Sequence, residues 1–134
     1  MAVFTLEIVT PDRLIYEGEA ERLIVRGMTG DLCILAHHID YATALDPGEA
    51  SVVTANGERR AACTGGMLSV HDNHVRLMAT TFEWEDEIDL NRAQRAKEAA
   101  EEQLKTMTAD DKNYALVEAK LKRALTRIQV NKPI

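Results

Sequence analysis

Apolar and polar positions follow two different periods along this 134-residue chain, and the change falls near residue 85. Phe4, Leu6 and Ile8 alternate with Thr5 and Glu7, the period of two that turns one strand face into a core. Val75, Leu77 and Ala79 alternate with Arg76 and Met78 in the same way, less cleanly. β-prone runs at 3–10, 14–19, 22–26, 32–35, 51–55, 59–64, 67–71 and 74–80 are separated by turn residues: Pro11-Asp12, Gly27 to Gly30, Pro47-Gly48, Asn56-Gly57, Gly65-Gly66 and Asp72-Asn73. Asn56-Gly57 is the strongest hairpin signal, because both residues tolerate positive φ. Gly65-Gly66 reads as a bulge or tight turn. Strands spaced so closely predict an antiparallel β-sandwich or barrel over 1–84. Its core is small and its edges need cover.

From 85 to 134 the period becomes helical, giving an α+β chain overall. Between 89 and 107 there is no Gly or Pro, and Ala93, Ala96, Ala100, Leu104 and Met107 fall on one face. Asp89 is placed to cap this helix. After a break at 108–111, with Thr108 or Asp110 as candidate caps, Tyr114, Val117, Leu121, Ala124, Leu125 and Ile128 form a second stripe. Neither stripe is stable alone. The short connection predicts an antiparallel two-helix hairpin, with small Ala side chains admitting close approach.

Charge sharpens this division. The net of −6 resolves into −6 over 1–84, −5 over 85–111 and +5 over 112–134; all six lysines follow residue 96. The opposite signs within the hairpin predict that its two helices attract each other. Exposed pairs contribute only ~0–1 kcal/mol each, so the hairpin is expected to open easily. No apolar run approaches the ~20 residues of a bilayer span, and the N-terminus has no secretory pattern. The acidic balance argues against nucleic acid, and the basic face after 112 lacks interleaved aromatics.

Candidate chemistry is sparse. Adjacent His37 and His38 cannot both face one ion from a regular strand, and no ligand set completes a metal site. His71 and His74 flank a turn and are expected at the surface. Cys33 and Cys63 are expected as buried small hydrophobes. They are too few for a disulfide scaffold, and no base accompanies them for nucleophilic catalysis. Glu83, Glu85, Asp86, Glu87 and Asp89 sit where acids complement a helix N-terminus. Arg123 and Arg127, four apart, would come beside Arg92 in an antiparallel hairpin and make a three-Arg anion site.

These features together resemble the epsilon subunits of F-type ATP synthases, over nearly the whole chain. Leu6 to Asp12 and Tyr16 to Glu21 are similar to the family's first strands, and Gly30 to His38 to its Gly-Glu-(Phe/Leu)-Gly-Ile-(Leu/Tyr)-Pro-Gly-His segment. Thr43 to Gly48, Gly65 to Val70 and Ile88 to Ala93 match further blocks in order. The departures lie in one loop: Cys33, Ala36 and His37 replace Gly, Pro and Gly, and Ile39-Asp40-Tyr41 replaces Ala-Pro-Leu.

The resemblance implies a non-catalytic rotor subunit at the cytoplasmic face of a bacterial membrane. It would be peripheral there, held through the gamma subunit and the c ring. Asp31 and His38 occupy positions used at that rotor interface. The resemblance also implies that the hairpin extends toward the alpha and beta subunits of the catalytic head and inhibits ATP hydrolysis. Lys120, Lys122, Arg123 and Arg127 would be the basic residues involved. No cofactor is required. ATP is implied as a regulatory ligand of the folded hairpin, at Glu83, Ile88, Asp89, Arg92, Ala93, Arg123 and Arg127; Ala99 stands where some ATP-binding members carry Arg. The alternative from another class is a free-standing sandwich adaptor with a helical tether.

Overall fold

The alternation at the N-terminus is realised as strand β1 (Phe4–Val9), in which Phe4, Leu6 and Ile8 are fully buried and Thr5 is exposed. A computed structural model describes residues 2–131; Met1 and 132–134, the outer limits of the two expected domains, lie outside it. The strands continue as β2 (Leu14–Ala20), β3 (Arg22–Gly27), β4 (Gly30–Leu35), β5 (Tyr41–Thr54), β6 (Gly57–His71), β7 (His74–Ala79) and β8 (Phe82–Trp84). A single turn of 3-10 helix (Glu85–Glu87) leads to α1 (Leu90–Lys105) and α2 (Tyr114–Asn131).

The strands hydrogen-bond in the order β2-β1-β7-β6-β5-β3-β4, with β8 on the other half of β6. Pairing is antiparallel except between β1 and β7, which run parallel. That pair joins strands far apart in sequence, so no hairpin signal announces it.

The expected turn at Pro47-Gly48 does not exist. Both residues lie inside the 14-residue β5, paired with Thr64 and Cys63. What they mark is a bend. Leu45 pairs with Gly66 and Pro47 with Thr64, leaving Asp46 and Gly65 outside the register. Gly65 and Gly66 take φ of 102° and 131°, open to glycine at little steric cost. The runs at 59–64 and 67–71 are therefore one bent strand. One half of each long strand serves each layer, and side chains from all eight strands meet in one core.

The hairpin turn after β5 sits at Ala55-Asn56, with Gly57 alone at positive φ (113°). At the next turn Asp72 and Asn73 are both left-handed, at 49° and 63°. The expected 51–55 strand was only the end of β5, and β8 carries no period long enough to signal it.

Asp89 caps α1 as expected: its Oδ1 accepts from the Arg92 N–H at 3.0 Å. α2 begins at Tyr114, and neither Thr108 nor Asp110 caps it. Instead the Asp111 carboxylate accepts the Asn113 N–H at 2.9 Å. α1 buries only Ala93 and Ala100. α2 buries Val117, Ala124 and Ile128 of its expected stripe, plus Thr126 and Val130; Leu125 stays 43% exposed. α2 is the helix that docks on the sandwich, against β5 and β6, and α1 packs on α2. Val130 closes a small apolar cluster with Ala62 and Ile88. No helix among the described residues is long and apolar enough to cross a membrane.

Candidate functional site

Small side chains on α1 leave space between the hairpin and the sandwich. Ala93, Ala96, Ala99 and Ala100 line a cleft of about 830 Å³, faced by Lys120, Arg123, Ala124 and Arg127 of α2. The sandwich closes it with Asp12 and Arg13 of the β1–β2 turn and with Glu83 of β8. The capping contact of Asp89 sets the first turn of α1, and so carries Arg92 to the rim of this cleft.

Six of the seven residues assigned to a regulatory nucleotide thus line one cleft: Glu83, Asp89, Arg92, Ala93, Arg123 and Arg127. Ile88 does not. It is 9% exposed and packs with Ala62 and Val130, where its burial helps seat the end of α2. Lys120, expected only as an inhibitory cation, lines the cleft as well.

The cations of the cleft differ in commitment. Arg127 Nε donates to Glu83 Oε1, and its Nη2 to Thr81 Oγ1 at 3.3 Å. Arg13 lies 3.6 Å from Glu87. Among the described residues, Arg92, Lys120 and Arg123 have no carboxylate within ion-pair distance. These three cations outnumber Asp12 and Asp89, the two carboxylates that line the cleft without a cationic partner among the described residues, and the small positive excess favours an anion; a phosphate group is the geometry that Arg binds best.

The expected attraction between the helices takes another form. No ion pair joins α1 to α2 among the described residues; α1 has one within itself, Lys105 to Glu102. The reason is steric: the helices meet through Ala93 and Ala100, and the acidic residues Glu98, Glu101 and Glu102 point to solvent. Two cations of α2 turn to the sandwich instead. Lys122 Nζ donates to Asp46 Oδ2 at 2.5 Å, and Arg127 pairs with Glu83. The acids at 85–87 also face the sandwich, with Arg60 beside Glu85, Arg59 beside Asp86 and Arg13 beside Glu87. Arg59 also stacks 3.8 Å over the Trp84 ring. A single sequence carries no sign of Asp46 as a partner, because 76 residues separate it from Lys122.

Asp31 and His38, expected at a common interface, stand toward opposite ends of β4, Asp31 as its second residue and His38 in the loop after it. Asp31 accepts from Arg26 Nε at 2.6 Å near the β3–β4 turn. His38 lies in the 36–40 loop, its Nδ1 2.7 Å from the Ile39 carbonyl oxygen. That loop is tied to the β6–β7 turn. Asp40 accepts the Asp72 N–H at 3.0 Å and faces His71 Nδ1 at 2.9 Å; Asn73 Oδ1 accepts the His37 N–H at 2.7 Å. The Asp72 amide, then His71, hold the Asp40 carboxyl below its ordinary 3.8. His37 is left-handed (φ 63°), and Ile39 is left 77% exposed.

The cysteines separate. Cys63 is buried, and burial pushes its thiol up to about 11. Cys33 is exposed, contrary to expectation. It alternates with Ile34 on β4, and Ile34 takes the inward place at 1% exposure.

Residues 3–85 match the family described as ATP synthase, Delta/Epsilon chain, beta-sandwich domain, and residues 86–132 the one described as its long alpha-helix domain. The chain is 40% identical over 131 residues to the ATP synthase epsilon chain of Ruminococcus albus, covering 97% of each. It is 37% identical over 132 residues to that of Shouchella clausii, covering 98% of this chain and 97% of the relative. Among solved structures, a chain of the Euglena gracilis mitochondrial ATP synthase superposes with a TM-score of 0.82 at 22% identity, covering 94% of this chain and 79% of that one.

Proposed function

The chain belongs to the ATP synthase delta/epsilon family, and from that premise we propose that it is a non-catalytic rotor subunit of the central stalk. Its sandwich links the gamma subunit to the c ring, on the cytoplasmic face of a bacterial membrane. Its hairpin regulates: docked, it leaves ATP hydrolysis free; extended into the catalytic head, it inhibits. Lys120, Lys122, Arg123 and Arg127 are the cations that meet acidic residues of the head.

The observation that supports this reading best is the way the hairpin is held. α2 rests on the sandwich through surface ion pairs and a small apolar cluster, not through a large shared core. Attachments of this kind are weak individually, which suits an element that leaves its seat. Released from Asp46 and Glu83, the same side chains become available to another acidic surface.

A regulatory nucleotide belongs to the docked state in this reading. Arg92 and Arg123, with Lys120 of the same cleft, would meet the phosphates from both helices at once. Such a ligand would cross-link α1 to α2 and stabilise the docked form by mass action.

The test is to recover this subunit from a native membrane extract and identify what accompanies it. Co-purification with a gamma subunit and a c ring is expected; recovery as a monomer outside any ATPase complex would overturn the stalk role.

A further inference from the structure

We infer that Asp46 is the positioning residue that latches α2 to the sandwich. Four cations of α2 are in question, and the docked state neutralises two of them on the sandwich: Lys122 on Asp46 at 2.5 Å, and Arg127 on Glu83. The two attachments are placed differently. Measured from the connection between the helices, Lys122 comes first, followed by Arg127, by Val130 in its apolar cluster, and by Asn131, whose Nδ2 reaches the Glu85 carbonyl at 3.5 Å. A helix peeling away from that end meets the Lys122 attachment before any other.

Asp46 is built to stay in place. It sits at the β5 bend, outside the ladder register, between buried Leu45 and half-buried Pro47, on a strand paired along both sides. The competing cation is already occupied: Arg26 donates to Asp31 at 2.6 Å, and Asp31 rather than Asp46 dominates its environment. Asp46 is 30% exposed and Lys122 50%, so the pair is screened only in part. The fixed partner is the acid and the moving partner is the cation. Substitutions on the two sides therefore part company. Removing the acid frees the hairpin with every cation intact, whereas removing the cation frees the hairpin and weakens it for its other target. The link to inhibition rests on the rotor-subunit reading; the latch itself does not.

The test is hydrogen exchange of the full chain carrying Asp46→Asn, Lys122→Gln, both together, or the exchanged pair Asp46→Lys with Lys122→Asp. Each single change should speed exchange in α1 and the first half of α2 about two- to fivefold. Both together should give no more than either alone, and the exchanged pair should restore slow exchange. Amides of β1 and β7 should not change, which separates latch release from misfolding. Unaltered exchange in the single variants, or effects that multiply in the double, would overturn the latch. In the assembled ATPase, Asp46→Asn should deepen inhibition of hydrolysis more than Lys122→Gln. If exchange responds as stated and hydrolysis does not, the latch stands and the inhibitory role of the hairpin falls.

Discussion

Arg127 of α2 and Glu83 of β8 form the least exposed of the ion pairs between hairpin and sandwich, with side chains 25% and 32% exposed. Arg127 also donates to Thr81, so it closes two polar contacts at the floor of the cleft. Arg127→Ala should cost the docked hairpin about 1–2 kcal/mol, more than Lys122→Ala, whose exposed pair contributes below about 1 kcal/mol. Hydrogen exchange of the α2 amides ranks the two; the reverse order would place the main attachment elsewhere.

The bend of the sandwich depends on Gly66 more than on any glycine of a turn. A Cβ at Gly66 would overlap the Met78 carbonyl oxygen and lie 2.8 Å from Ala79 Cα, whereas a Cβ at Gly30 would meet nothing within 4 Å. Both have positive φ, so both substitutions carry strain of about 1–3 kcal/mol. Gly66→Ala adds the clash with β7 and should exceed about 3 kcal/mol, seen as a much larger fall in urea midpoint than for Gly30→Ala. Equal losses would mean that strain alone accounts for both.

The two thiols should be distinguishable at pH 8: Cys33 reacts with a thiol reagent in the folded chain, and Cys63 only after unfolding. Because the folded Cys63 thiol is raised from 9.0 to about 11, the folded state favours the neutral form. Its contribution is complete below pH 9 and is lost as pH rises from 9 to 11, about 2–3 kcal/mol in all. Denaturation curves at pH 8 and pH 11 should show this loss for the parent chain and not for Cys63→Ala. Equal pH dependence in the two would contradict it.

Calorimetry of the full chain with ATP should show binding below millimolar concentration. Arg92→Ala and Arg123→Ala should each weaken it about tenfold or more, the loss of one charged hydrogen bond. Absence of heat at millimolar ATP would mean that the nucleotide is not a ligand of this cleft.

Local features of the fold were legible in the residues. The alternation of Phe4, Leu6 and Ile8, the Asp89 cap and the Ala93 and Ala100 face each depend on neighbours within one or two turns of chain. What the residues did not reveal is non-local. Pro47-Gly48 has the chemistry of a turn and the role of a bend, because β3 and β6 pair with β5 on either side. The parallel pairing of β1 with β7 joins strands far apart in sequence, Thr5 opposite His74. The cleft was legible through Arg92, Arg123 and Arg127, since an antiparallel hairpin brings both ends together. Its sandwich wall, with Asp12 and Arg13, and the Asp46 partner of Lys122 depend on how α2 is laid on the sheet, which no periodicity encodes.

In the proposed rotor subunit the hairpin, and not the sandwich, would restrain the catalytic head. This restraint is tested most directly by ATP hydrolysis of the assembled complex, with this subunit intact or truncated after residue 87. Hydrolysis should be faster in the truncated complex, with the subunit still bound through its sandwich; equal rates in the two complexes would show that the hairpin does not inhibit.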